Sequence, residues 1–142
     1  MLLNINPILT PDILHSLRSM GHGDTLAIVD ANFPANSNHD EVITLAGLSV
    51  TTVLEAVLSV LPLDTFVAAP CCTMKVVDKP DAVPEIVNDF KTIVSQSPSK
   101  GSPFESLERH AFYQAAKDCF TIIQTGETRL YGNIIVTKGI IF

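Results

Sequence analysis

A histidine stands between two glycines in Met20-Gly21-His22-Gly23-Asp24, and a second acid, Asp30, follows the apolar run Thr25 to Val29. Imidazole, with an unperturbed pKa of about 6.5, is the side chain that most readily gives and takes a proton near neutral pH. Glycines on both sides strip it of side-chain neighbours, so backbone and substrate can approach closely. The same residues also have a purely structural reading. A protonated histidine at a helix C-terminus contributes about 0.3–1 kcal/mol, and a glycine just past a helix end needs no functional reason. Asp30 is similarly double. It ends a strand where α/β sheets place ligands, and it can equally cap the next loop through the Asn32 or Phe33 amide. Asp24 reads as structural, orienting His22 or satisfying the loop backbone.

Two further clusters carry polar side chains at element junctions. Glu108-Arg109-His110-Ala111-Phe112-Tyr113 offers a guanidinium, whose bland role is a solvated helix residue, beside aromatics that usually belong to a core. Tyr131-Gly132-Asn133 is a turn leading into an apolar strand, and asparagine is common in such turns. Other chemistries lack their signatures. There is no P-loop, no G-x-G-x-x-G after a strand and no nucleophile elbow. His15, His22, His39 and His110 show no paired ligand spacing, so no metal is expected. Cys71, Cys72 and Cys119 are odd in number and fit neither a disulfide framework nor a zinc site. Cys71-Cys72 reads as packed rather than reactive, and a reducing cytoplasm is expected.

The elements that must position these groups follow from pattern. Thr10-Pro11-Asp12 opens a helix with a hydroxyl N-cap, a proline at the first position and an acid in the first turn; Ile13, Leu17 and Met20 recur at helical spacing until Gly21. Thr25–Val29 and Val42–Leu45 read as strands, separated by a loop over Asn32–Asp40. Val53, Leu54, Val57, Leu58 and Leu61 mark an amphipathic helix, with Thr52 and Glu55 spaced as a capping box. A strand is expected at Thr65–Ala69. Pro84 begins a helix through Ile86, Val87, Phe90 and Val94, followed by a polar loop over Gln96–Pro103. Phe104–Cys119 is either one helix or a short strand followed by a helix from about His110. Phe120–Ile123 and Ile134–Val136 are β-branched strands. The alternation predicts a single α/β domain over 1–142, with a largely parallel or mixed central sheet flanked by helices.

Charged residues make up only 17% of the chain, against about 25% in an ordinary domain. So little charge leaves apolar surface to be covered, and copies of the same chain are the simplest cover, so a homo-oligomer is expected. The net charge is −6 and the basic residues are scattered, which argues against nucleic acid. The mean hydropathy of +0.32 does not imply a membrane. The longest apolar stretch, Val53–Leu63, contains Glu55 and falls far short of the roughly 20 residues a span needs. Met1–Pro11 has no basic region typical of a signal peptide.

Taken together, the three clusters resemble the fucose mutarotase and ribose pyranase family. The resemblance runs along almost the whole chain. It rests on Met20-Gly21-His22-Gly23-Asp24, Asp30-Ala31-Asn32-Phe33-Pro34-Ala35, Arg109 with Ala111-Phe112-Tyr113, Thr125-Gly126-Glu127 and Tyr131-Gly132-Asn133-Ile134-Ile135, in that order and spacing. Arg109 and the Tyr-Gly-Asn turn are more like the fucose branch; the ribose branch usually has His near the first position and Ala in place of Gly132. Pro70-Cys71-Cys72-Thr73-Met74-Lys75 differs from the more apolar, methionine-rich segment expected of the family.

The resemblance implies a ring-forming homodecamer of α/β subunits with sugar sites close to subunit contacts. His22 would be the catalytic acid/base. Asp30, Arg109, Tyr131 and Asn133 would hold sugar hydroxyls, and the Gly132 backbone would lie against the ligand. The implied activity is cofactor-independent exchange between the α and β anomers of a free monosaccharide, L-fucose first among them. D-Ribose pyranase-type exchange and a non-catalytic sugar-binding accessory protein are the competing readings.

Overall fold

The computed structural model describes residues 1–142 as one six-stranded mixed sheet with helices on both faces. The elements are α1 (Pro11–Ser19), β1 (Thr25–Val29), α2 (Ala35–Asn38), β2 (Val42–Leu45), α3 (Val50–Leu58), β3 (Cys71–Met74), α4 (Glu85–Gln96), β4 (Phe104–Leu107), α5 (Arg109–Lys117), β5 (Thr121–Thr125) and β6 (Ile134–Thr137). The strand order is β2-β5-β1-β6-β3-β4. β6 alone runs against its neighbours, antiparallel to β1 and β3, while the β1–β5, β2–β5 and β3–β4 pairs are parallel.

The near-continuous apolar strands are explained by burial on both faces. Successive side chains point to opposite sides, so Leu26 and Ile28 enter one core while Ala27 and Val29 enter the other. Ile134 and Val136 divide from Ile135 in the same way. The larger core lies under α1, α3 and α4 and includes Ile13, Val53, Leu54, Ile86 and Phe90. The smaller core, built on Phe33, Phe112, Ala116 and Ile122, lies under α2 and α5.

Helix α1 forms as its sequence dictates: Thr10 caps it by accepting from the Ile13 amide, Pro11 is its first residue, and Asp12 lies in its first turn. Helix α3 starts earlier than the expected capping box. Ser49 is the N-cap, accepting from the Thr52 amide at 3.2 Å, because buried Val50 extends the apolar stripe by a turn. The strand expected at Thr65–Ala69 is displaced to Cys71–Met74. The Asp64 carboxylate accepts from the Phe66 amide and closes a turn there, which leaves Phe66 and Val67 exposed. Cys71-Cys72-Thr73-Met74 then enters the sheet fully buried between β6 and β4. Phe104–Cys119 resolves into strand β4 followed by helix α5.

Candidate functional site

Because β6 is reversed, the residues before it meet the residues after β1, β3 and β4 at one edge of the sheet. Asp30 follows β1, Met74 ends β3, Arg109 opens α5 just beyond β4, and Tyr131 and Asn133 precede β6. These five residues line one cavity of about 190 Å³, together with Asn32, Phe33, Val77, Tyr113 and Leu130. Four of the sequence-predicted site residues, Asp30, Arg109, Tyr131 and Asn133, therefore converge.

Asp30 is buried, at 6% exposure. One carboxylate oxygen accepts from the Asn32 amide at 2.9 Å and the other from Asn133 Nδ2 at 3.1 Å. Burial raises the Asp30 pKa above the ordinary carboxylate range; hydrogen bonds from the Asn32 amide, the Asn133 side chain and the Phe33 and Gly132 amides oppose it without overcoming it. The loop-capping and site readings of Asp30 thus coexist. Asn133, in contrast, spends its side chain on Asp30. Its Oδ1 accepts from the Asp30 amide at 2.9 Å, so its amide positions the acid rather than standing free.

Arg109 is exposed at the first position of α5 and forms no ion pair. A cation at a helix N-terminus runs against the macrodipole, and local rules are broken mostly where function demands it. Glu108 satisfies the helix end instead, accepting from the His110 and Ala111 amides. Those amide contacts, the His110 one first, hold the Glu108 carboxyl below its usual range. Tyr131 has a left-handed backbone, φ 62°, unusual for a side chain of that size. Its phenol oxygen accepts from the Val77 amide at 3.1 Å, which leaves its own O–H free to donate.

The turn carrying Tyr131 is anchored by Glu127. This buried carboxylate accepts from the Thr128 and Arg129 amides and from the Arg129 guanidinium, which reaches on to Asp89 at 2.7 Å. The Arg129 side chain is the chief cause of the lowered Glu127 pKa. Gly132 is packed against this anchor rather than lining the cavity. A Cβ there would lie 2.9 Å from Glu127 Cγ and 3.1 Å from Ile86 Cδ1, so the position has no room for a side chain.

His22 lies at the opposite edge of the sheet. From Asp24 to Asp30 the chain runs extended along β1, about 20 Å at roughly 3.3 Å per residue. Within one chain the imidazole and the Asp30 cavity therefore do not meet. His22 is nonetheless not packed away: its side chain is 46% exposed, and its Nε2 lies 3.0 Å from Oδ1 of Asp64, which is 3% exposed. Burial works against ionising Asp64, but the Phe66 amide and His22 outweigh it and hold the carboxyl below its usual range. Asp24 does not orient the ring; it accepts from the Gly21 amide at 2.7 Å. Gly23 has φ +85°, so this glycine is required by the bend itself. Asp64, Tyr113, Met74 and Val77 were not legible as site residues. Asp64 is 42 positions from His22, and only the pairing of their strand ends brings them together.

The three cysteines are free and buried. Desolvation pushes the Cys71 and Cys72 thiols up to about 12 and Cys119 up to about 11, as befits packed rather than reactive groups.

Comparison with known proteins places this architecture. The chain is 37% identical over 140 residues to an L-fucose mutarotase of Haemophilus influenzae, covering 99% of this chain and 97% of that one. It superposes with a TM-score of 0.92 on the fucose mutarotase of Streptococcus pneumoniae solved in complex with L-fucose, at 33% identity over 99% of this chain and 100% of that one. FucU of Bifidobacterium longum gives a TM-score of 0.92 at 37% identity, covering 98% and 99% of the two chains. Residues 3–141 match the model of the RbsD / FucU transport protein family, and the chain belongs to that family.

Proposed function

We propose that this protein is a cofactor-independent mutarotase that interconverts the α and β anomers of a free sugar, L-fucose first among candidates. The observation that carries the reading is the cavity at the sheet edge. It gathers a buried carboxylate, an unpaired guanidinium and a phenol with a free proton, in a chain 37% identical to an L-fucose mutarotase. Carboxylate and guanidinium are complementary to vicinal hydroxyls, one accepting protons and the other donating a planar fork. Tyr131 adds a donor, while Asn133 and the Gly132 turn keep the carboxylate in place.

The reaction needs only proton movement. The anomeric hydroxyl gives up a proton as the ring oxygen gains one, and the C1–O5 bond breaks to the open aldehyde. Rotation about C1–C2 and closure on the other face complete the exchange. His22 serves as acid/base, a role worth about 10²–10⁴-fold in rate, or roughly 3–5 kcal/mol of barrier.

Because His22 and the clamp occupy opposite edges, the complete site takes His22 from a neighbouring copy. Both edges carry apolar surface suited to such a contact. Phe66, Val67, Ile140, Ile141 and Phe142 are exposed beyond the His22 edge, and Val77 and Leu130 beside the clamp. Two different patches joined head to tail generate a ring when the rotation closes, which supports a ring-based homodecamer. No helix is long and apolar enough to cross a membrane, and three unpaired cysteines suit the cytoplasm.

Saturation-transfer NMR on L-fucose tests the reading, with D-ribose as comparator. Wild type is expected to exchange L-fucose anomers and His22→Ala to lose at least 10²-fold of the catalysed rate, on the order of the acid/base contribution. Equal exchange by the two proteins would reject the role of His22, and no catalysed exchange of either sugar would leave a binding protein.

A further inference from the structure

We propose that Asp64 is a positioning residue that fixes His22 in one tautomer, proton on Nε2, and so makes Nδ1 the nitrogen that exchanges protons with the sugar. The inference rests on the acid/base reading of His22 and deepens it.

Three observations carry it. First, the contact is directional. Asp64 Oδ1 sits 3.0 Å from His22 Nε2, and Nδ1 has no partner within the chain. An ionised carboxylate is an acceptor only, so in the neutral imidazole Nε2 must carry the hydrogen and Nδ1 the lone pair. Second, the burials are opposite. Asp64 is nearly inaccessible while the His22 side chain is half-exposed, so one nitrogen faces the protein and the ring still reaches solvent. Third, both partners hang from the same strand end. The Asp64 amide donates to the Thr137 carbonyl at 3.0 Å and the Gly23 amide to the Lys138 carbonyl at 2.9 Å. Successive residues at the end of β6 thus set the separation of acid and imidazole.

Phe66 completes the arrangement. Its amide donates to the same Asp64 oxygen at 3.2 Å, and its ring packs against the imidazole at 5.5 Å, 62° between planes. The carboxylate is held by the turn it closes, and the ring is held by the residue in that turn. A buried carboxylate on the far nitrogen of a catalytic imidazole orients it and stabilises the imidazolium that forms on proton uptake. Here it would let His22 Nδ1 take the anomeric proton and hand it to the ring oxygen as the C1–O5 bond breaks, then carry it back to the anomeric oxygen on ring closure, with no net proton gained by the protein.

Nitrogen-15 NMR of the histidines in the intact protein at about pH 8.5, where neutral imidazole dominates, reads the tautomer directly. Wild type is expected to show His22 with Nε2 protonated. Asp64→Ala, which removes the acceptor from Nε2, is expected to release His22 from its single tautomer and raise the share of the Nδ1-protonated form. It should lower kcat for L-fucose anomer exchange by roughly 10-fold or more while KM changes less than threefold. Asp64→Glu, which keeps the charge, should recover the tautomer and part of kcat. A wild-type His22 protonated on Nδ1 would overturn the proposal, and this needs no variant. So would an Asp64→Ala protein with unchanged tautomer and kcat beside an inactive His22→Ala. Full turnover by His22→Ala is the separate failure: it removes His22 from catalysis, and the positioning role of Asp64 with it.

Discussion

Asn133 clasps Asp30 at two points. Its Oδ1 accepts from the Asp30 backbone amide, and its Nδ2 donates to the Asp30 carboxylate. Both groups are buried, so the pair joins the end of β1 to the start of β6 and engages both halves of the Asn133 amide. Replacing Asn133 with Ala strands a buried amide and removes a donor from a buried carboxylate, a cost of about 2–3 kcal/mol. Urea unfolding should show this loss, and calorimetric titration with L-fucose should show weaker binding because Asp30 is no longer held. Undiminished stability with weakened binding would instead make Asn133 a direct sugar contact.

Arg109 gives the contrasting case. Exposed, unpaired and placed against the macrodipole of α5, its charge should add nothing to folding. Arg109→Ala is expected to leave the unfolding midpoint unchanged or slightly raised, within about 0.5 kcal/mol for a surface position. Its L-fucose dissociation constant should rise at least tenfold, about 1.4 kcal/mol of binding. A wild-type dissociation constant would remove Arg109 from the site.

The Glu127–Arg129 pair fixes a pH dependence whose sign follows from its lowered carboxyl pKa. In the folded chain Glu127 ionises more readily than in the unfolded chain. Its contribution is therefore present above the unfolded glutamate pKa of about 4.3 and is lost as pH falls through the lower folded value. Arg129→Met removes the chief cause of the lowering. Since the Arg129 side chain is 41% exposed, the expected cost is only about 1–2 kcal/mol at pH 7, below that of a fully buried pair. Urea melts at pH 7 and about pH 3.5 should show the deficit shrinking at the acid end. A deficit that stays constant with pH would assign it to lost packing of the arginine stem.

The helices and most strands were legible because local chemistry and tertiary burial agree in them. Thr10-Pro11-Asp12 caps α1 as it reads, and the β-branched runs at Thr25–Val29 and Ile134–Val136 lie in the sheet interior. The strand expected at Thr65–Ala69 failed because a single side chain overrides propensity there: the Asp64 carboxylate folds the backbone into a turn around the Phe66 amide. Asp30, Arg109, Tyr131 and Asn133 stand out as polar groups at element junctions, and the fold gathers them. What the chain order conceals is direction. His22 and Asp30 look close because eight positions separate them, yet an extended strand between them carries them to opposite edges. Asp64, distant in sequence, is the true neighbour of His22.

The reversed strand β6 also governs when the molecule can assemble. It lies between β1 and β3, so β2-β5-β1 and β3-β4 share no ladder except through it. Ribosomal synthesis delivers this seam after every other strand, and pairings so remote in sequence form slowly. Without β6, the facing edges of β1 and β3 would be bare and open to wrong partners. Without it Asn133 would not be held beside Asp30, and Asp64 would lack the Thr137 carbonyl that anchors it. Both polar edges therefore depend on the same last strand.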